Sequence, residues 1–205
     1  MSRNIGPQCR LCRRLGVKLF LKGKRCFSPL CPLERKGAVP PGVHGNAFRR
    51  LSAYGKQLAE KQKVKALYGL SEHHLKRYFN EARRYHKETD TALWQILESR
   101  LDNVLFRLGF APNRRTARQL INHKKVFVDG KRVTIPSYRV KPGQLVSLDK
   151  KALEIPQVNK AVEENSPLPS WLKKKALVGK VVKLPSKEDV KEDIDVALII
   201  EFYSR

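Results

Sequence analysis

All four cysteines of the chain stand in its first 31 residues, within the stretch CRLCRRLGVKLFLKGKRCFSPLC. Arg10, Arg13, Arg14, Lys18, Lys22, Lys24 and Arg25 lie between them, and no acid does. A segment so dense in like charge cannot bury enough apolar surface to fold unaided. Its cysteines read C-x2-C, then thirteen residues, then C-x4-C. Four thiolates at such spacing can close a tetrahedron around one metal ion, and bound metal contributes the missing folding free energy. Zn2+ is therefore expected at Cys9, Cys12, Cys26 and Cys31. An iron–sulfur cluster uses the same four-thiolate set, and free or redox-active thiols are the remaining reading. Two disulfides are disfavoured, because the N-terminus MSRNIGPQCR has no apolar signal-peptide core and points to a reducing compartment. His44, His73, His74, His86 and His123 fall outside the ligand spacing. Stapled by metal, the segment presents its cations as a fixed array rather than as a solvated tail.

The charge names the class of partner. The 205 residues carry a formal +24, from 43 Lys and Arg against 19 Asp and Glu, which calls for a polyanion. Residues 1–50 hold twelve bases against one acid, whereas residues 151–205 hold ten against nine. The N-terminal half is thus expected to face the anion, and the near-neutral last quarter to face protein or core. A membrane is disfavoured, since no apolar run approaches the ~18 residues of a span and neither an MGxxx start nor a CaaX end is present. Nucleic acid is preferred, and a cytoplasmic location is expected.

The pattern along the chain predicts an α+β protein in three parts. Residues 1–45 form the metal-stapled basic segment, and KGAVPPGVHG at 36–45 reads as a linker ahead of Arg49 and Arg50. Residues 46–95 form a helical domain. In it Ser52 caps a helix to about Tyr68, Ser71 caps SEHHLKRYFNEARRYHK, and Thr89 or Thr91 caps TALWQILESRLDNVLFRLG. Residues 96–177 form a small module of helices packed on a twisted antiparallel sheet. Leu97, Leu101, Val104, Leu105 and Leu108 make one apolar face that ends at Gly109, and Arg100, Asn103 and Arg107 share the opposite side. Asn113 caps the next helix, with Ala117, Leu120 and Ile121 inward and Arg114, Arg115, Arg118 and Gln119 outward. Asp129-Gly130 is a hairpin turn that sets Val128 opposite Lys131 and Phe127 opposite Arg132, and KPG at 141–143 turns the chain before QLVSL.

This module presents a helix N-terminus with Arg114, Arg115, Arg118, Lys124, Lys125, Lys131 and Arg132 to one side, and no acid stands between Arg114 and Lys125. Helix N-termini and cations both favour phosphate, so RNA contact is expected here. The candidate set is completed by Arg10, Arg13, Arg14, Lys22, Lys24, Arg25, Arg49, Arg50, Arg100, Arg107, Asn113 and Gln119. Replacing Arg114 and Arg118 by Ala is expected to weaken RNA binding without unfolding the module.

The motifs RLDNVLFRLGF, RRTARQLINHKKVFVDGKRV and PSYRVKPGQ resemble the S4 RNA-binding module, found also in pseudouridine synthases, tyrosyl-tRNA synthetases and heat-shock RNA binders. LSAYGKQLAEKQKVKALYGLSE, LESRLDNV and IIEFYSR, with the four-cysteine N-terminus, extend the resemblance over nearly the whole chain to the bacterial small-subunit ribosomal protein S4 family. That resemblance implies direct binding to the 5′ domain of 16S ribosomal RNA at a junction of several helices, and nucleation of the body of the 30S subunit. It also implies contact with ribosomal protein S5 near the path by which messenger RNA enters, and an influence on decoding accuracy. It further implies that residues 178–205 return to complete the helical domain, with VALIIEFYSR packed on residues 46–95. Two positions depart from the family pattern. Lys124 stands where many relatives end the helix with glycine, and the loop PPGVHGNAFRRLSAYG carries only Arg49 and Arg50 where some relatives have more cations. The rivals are an RNA-modifying enzyme that uses the module for targeting, and a regulator that binds messenger RNA. Against the enzyme, no P-loop, GxSxG or HExxH precedes the module and about 55 residues follow it.

Overall fold

Capping decides where the helices of the first half begin. The computed structural model describes residues 6–43, 45, 50–85, 88–164, 167–190 and 192–204. Its contacts divide the chain into two compact units, Met1–Asp90 with Glu192–Arg205, and Thr91–Lys191. In the first unit Ser52 Oγ accepts from the Gly55 N–H at 3.1 Å and opens α3 (Ala53–Leu67). Gly69 follows at φ 60°, and Ser71 Oγ then accepts from the His74 N–H to open α4 (Glu72–Ala82). The periodic Leu75, Tyr78, Phe79 and Ala82 of α4 are buried, so these aromatics belong to the core. The helix stops at Ala82, earlier than its sequence pattern suggests.

The basic N-terminal segment folds as α1 (Gln8–Leu15), a 3-10 turn (Gly23–Phe27) and α2 (Pro32–Lys36). Leu19, Cys26 and Cys31 are buried within it. Arg13 Nε donates to the Val39 carbonyl at 2.9 Å and Nη2 to the Pro40 carbonyl at 3.4 Å. That pair ties the Pro-rich stretch back onto α1, so residues 36–45, expected as a linker, do not separate two compact units.

The last helix of the chain, α9 (Val196–Tyr203), is capped by Asp195 and lies against α3 and α4. Phe79 stacks on Tyr203 with centroids 4.9 Å apart, and Lys61 Nζ sits 4.2 Å from the Phe202 ring centre. Gln57 donates to Glu201 at 2.8 Å. Val196–Tyr203 is thus part of the first unit. The return starts later than 178, however, because Val178–Val181 is a strand of the second unit's sheet.

Glu72 joins three elements of this unit. It accepts from Lys61 at 2.9 Å, from the Tyr203 hydroxyl at 2.8 Å and from Lys65 at 3.1 Å. Burial opposes its charge, but the bonds from Lys61, Tyr203 and Lys65 together outweigh it and hold the carboxyl below its usual value of 4.5. Burial and the bond to Glu72 push the Tyr203 hydroxyl up in turn. A depressed folded-state pKa contributes stability that is present above the unfolded value and is lost as pH falls through the folded one. Glu72→Gln is therefore expected to flatten the fall in stability below pH 4.5, read by circular dichroism in urea titrations across acid pH.

In the second unit, α5 (Thr89–Glu98), α6 (Leu101–Arg107) and α7 (Arg114–Asn122) precede a five-stranded sheet. Sequence periodicity predicts one helix through residues 91–108, but it breaks at Ser99 and Arg100. Arg100 turns extended at ψ 136°, the Leu101 N–H donates to the Tyr138 carbonyl at 2.8 Å, and the Val140 N–H donates to Ser99 at 2.9 Å. The break exchanges helical hydrogen bonds for bonds to a loop some forty residues away, which periodicity cannot register.

The strands are β1 (Val126–Val128), β2 (Lys131–Arg132), β3 (Leu145–Leu148), β4 (Leu172–Lys175) and β5 (Val178–Val181), with α8 (Pro156–Glu163) before β4. All pairings are antiparallel in the order β2-β1-β3-β5-β4. The hairpin register is the one its Asp-Gly turn predicts, Phe127 opposite Arg132 and Val128 opposite Lys131. One core of Leu101, Val104, Leu105, Leu108, Phe110, Leu120, Ile121, Val126, Val146 and Trp171 joins helices to sheet. A Cβ on Gly179 would meet Leu108 Cδ1 at 2.4 Å, so any larger residue there would displace the buried Leu108 side chain.

Candidate nucleic-acid interface

Two buried carboxylates organise the cations of α6 and α7. Asp102, 2 % exposed, accepts Arg100 Nε at 3.1 Å and Nη2 at 2.8 Å. It also accepts Arg118 Nε at 3.1 Å and Nη2 at 2.5 Å. Glu98, 1 % exposed, takes Arg107 in a two-pronged pair with both distances 2.9 Å and accepts Asn103 Nδ2 at 2.9 Å. Asn103 Oδ1 in turn accepts Arg114 Nε at 2.7 Å. Forked guanidinium-to-carboxylate pairs are the strongest and most directional of side-chain hydrogen bonds, so these arginines are held in fixed orientation.

This arrangement corrects part of the sequence reading. Arg100 is 4 % exposed and fully engaged with Asp102, so it is a structural residue rather than an RNA contact. Asn103 is sealed inside, not on an outer face. Arg107, Arg114 and Arg118 are half-buried partners of Glu98, Asn103 and Asp102. Replacing Arg114 and Arg118 by Ala therefore disturbs the fold as well as any RNA contact. Four guanidinium charges against two carboxylates still leave the network net positive, and partial burial screens it less than a surface array.

Around this base lies the exposed array. Arg115 and Gln119 share the outer side of α7, and Lys131 and Arg132 stand exposed on β2. Arg132 lies over the Phe127 ring at 5.3 Å, while Arg114 lies over Phe106 at 4.6 Å. Asn113 Oδ1 accepts the Thr116 N–H at 2.8 Å and so caps α7 as its sequence predicts. The helix closes in a Schellman turn, with Lys125 N–H donating to the Leu120 carbonyl and Lys124 N–H to Ile121, both at 3.0 Å. Lys124 occupies the left-handed position at φ 60°, where glycine carries no Cβ penalty. Its departure from the family pattern thus leaves the turn intact at a conformational cost. Lys124→Gly is expected to stabilise the second unit by about 0.5–1 kcal/mol. Both tryptophans, Trp94 and Trp171, lie in that unit, so tryptophan fluorescence during urea unfolding reads the change directly.

The sheet adds cations that the sequence reading passed over. Alternation puts Phe127, Leu145, Ser147, Lys173, Lys175, Val178 and Lys180 on the face opposite the core, with Arg132 beside Phe127. Lys180 pairs across to both Leu145 and Lys173, so the lysines adjoin one another without an intervening acid. Lys174 points the other way. Burial lowers its pKa, and it donates to the Val162 carbonyl at 3.3 Å. The numerical neutrality of residues 151–205 hides this segregation. The Lys-x-Lys alternation in LKKKALVGKV is the signal that reveals it.

In the first unit Arg10, Arg14, Lys22, Lys24, Arg25 and Arg50 are exposed, whereas Arg13 is half-buried against residues 39 and 40. Arg49, expected beside Arg50, lies outside the described residues, as do His44 and His86. Lys18 pairs with Glu34. All four cysteines are free thiols, Cys26 and Cys31 buried and Cys9 and Cys12 half-buried. Burial pushes the Cys12 thiol up, and Cys26, Cys9 and Cys31 add to that against a backbone hydrogen bond at Leu19. The Lys22 N–H donates to Cys26 Sγ at 3.4 Å. The donor set and its convergence on Cys12 fit a thiophilic metal. Among the described residues, however, no group of three or more His, Cys, Asp or Glu side chains is closed up enough to hold an ion.

Comparison with known proteins matches the chain to one family. The family model for the ribosomal protein S4/S9 N-terminal domain matches residues 3–98, and the S4 domain model matches residues 99–146. Small ribosomal subunit protein uS4 of Dictyoglomus turgidum is 49% identical over 207 residues, with 100% of both chains covered. The uS4 proteins of Thermoanaerobacter sp. strain X514 and of Thermus thermophilus are each 46% identical, again with 100% of both chains covered.

Proposed function

The chain belongs to the ribosomal protein S4 family and is a structural, non-enzymatic, RNA-binding protein of the cytoplasmic small ribosomal subunit; from that premise we propose that it binds the 5′ domain of 16S ribosomal RNA directly, at a junction of several helices. The observation that carries this reading is the net-positive network on Asp102 and Glu98, flanked by Arg115, Lys124, Lys125, Lys131 and Arg132. A-form RNA hides its base edges in a deep groove, so a protein at a helix junction reads the spacing of phosphates and 2′-hydroxyls. Exposed cations carried on this fixed scaffold, Arg115, Lys131 and Arg132 among them, supply such a ruler. Holding several RNA helices at one place is what nucleating the body of the 30S subunit requires. Neighbouring small-subunit proteins, ribosomal protein S5 among them, and messenger RNA close to Arg50 complete the proposed surroundings, and through them the protein affects decoding accuracy.

The test is a titration in magnesium at two salt concentrations, against the 5′ domain fragment and against an unrelated structured RNA of equal length. Strong preference for the ribosomal fragment that survives the higher salt is expected. Equal, salt-labile binding to both would overturn the assignment.

The four thiols are the proposed site of one Zn2+, held by Cys9, Cys12, Cys26 and Cys31, with an iron–sulfur cluster as the alternative occupant of the same ligands. Support comes from the donor set and from the backbone N–H groups of Leu19 and Lys22 aimed at sulfur. Metal analysis is expected to give one zinc per chain. Chelation, or Ser in place of Cys26 and Cys31, is expected to unfold the N-terminal segment and weaken RNA binding. An unaltered circular dichroism spectrum in chelator would contradict it.

A further inference from the structure

The N-terminal segment carries two large aromatic side chains that its own fold leaves in water. Phe27 is 75% exposed and Phe20 is 41% exposed. Their rings stack on each other, with centroids 4.8 Å apart and planes inclined by 24°. Phe20 adopts φ 50°, a left-handed conformation that is a genuine outlier for a bulky residue. The fold thus accepts backbone strain where an aromatic ring is presented to solvent. Strain of this kind, held by the surrounding structure, points toward a binding role. Lys22, Lys24 and Arg25 stand exposed in the chain between the two rings.

We propose that the Phe20–Phe27 pair is a stacking platform for one unpaired RNA base, seated on the open face of Phe27, with Lys22, Lys24 and Arg25 taking the adjoining phosphates. This rests on the reading of the chain as an rRNA-binding protein and deepens it. The exposed cations of the second unit measure phosphate spacing, whereas an aromatic face selects a nucleotide outside a helix, because a base inside a helix has its faces covered by the stacked neighbours. Phe20 backs Phe27 and fixes its ring plane, so little side-chain entropy is lost when a base docks. The charge complementarity of three flanking cations favours a nucleic acid over an apolar protein surface as the occupant.

The test uses the full chain and a transcript of the 16S 5′ domain, titrated at two salt concentrations. Phe27→Ala is expected to bind roughly 5- to 150-fold more weakly, the range that loss of one stacked base produces. Its salt dependence is expected to be unchanged, since no phosphate contact is removed, whereas Lys24→Ala lowers the salt slope by about one. Phe27→Tyr keeps the ring and is expected to bind as the parent does, while Phe27→Leu keeps only apolar bulk and is expected to stay weak. Ultraviolet crosslinking of the parent complex is expected to place a nucleotide adduct on the peptide containing Phe27. Unchanged affinity of Phe27→Ala, or no adduct at Phe27, in a parent protein that binds the fragment tightly would overturn the platform and leave the proposed function standing. A parent protein with no preference for the fragment would overturn both.

Discussion

Asp102→Ala is expected to destabilise the second unit by about 3–5 kcal/mol. Asp102 accepts four N–H groups from two guanidinium groups, and Arg100 is buried to 4 % exposure. Removing the carboxylate takes this counter-charge away from two guanidinium groups in a low-dielectric site, and that loss accounts for most of the effect. Asp102→Asn, which keeps an acceptor but not the charge, is expected to lose less. Urea unfolding followed by the fluorescence of Trp94 and Trp171 measures both. A loss under 1 kcal/mol for the Ala variant would mean that Arg100 finds another partner or that water enters. Because Arg118 is oriented by the same carboxylate, the variant is also expected to bind RNA more weakly under conditions in which it remains folded.

Between about 50 and 200 mM salt, affinity for ribosomal RNA is expected to fall by roughly 10³- to 10⁵-fold, as for a protein that neutralises some six to ten phosphates. The exposed cations of α7, the hairpin, the outer sheet face and the N-terminal segment suffice for that number. The contrast between positions carries the argument. Arg115→Ala or Lys131→Ala is expected to lower the salt slope by about one each, because both side chains are exposed. Changes at Arg107 are expected to act mainly on stability, through its two-pronged pair with buried Glu98. A shallow slope in the parent protein would mean that apolar and base-directed contacts dominate instead.

Much of this was legible in the sequence because it depended on neighbours in the chain. Ser52, Ser71 and Asn113 cap helices through bonds to residues three positions on, and Asp129-Gly130 sets the register of its own hairpin. The apolar periodicity of residues 75–82 and 101–108 marked core faces that are indeed buried. Composition identified a polyanion as the partner, since net charge is a sum that folding does not change. The spacing of the four cysteines raised the expectation of one bound metal ion, which stands as the proposed site of Cys9, Cys12, Cys26 and Cys31.

What the sequence could not convey were outcomes of long-range partnership. A run of arginines looks the same whether each faces water or a carboxylate. Only the break at Ser99 and Arg100, drawn open by hydrogen bonds to residues 138 and 140, turned Arg100 inward onto Asp102. The strands β4 and β5 stayed unread because three consecutive lysines resemble a solvated loop until β3 supplies an edge for pairing. By itself, then, the sequence determined the anionic partner, the starts of α3, α4 and α7, the hairpin and the family, all set by local or additive properties. The tertiary structure decided which cations are scaffold and which are surface, because that depends on which charge is brought within about 3 Å of another after the chain has folded.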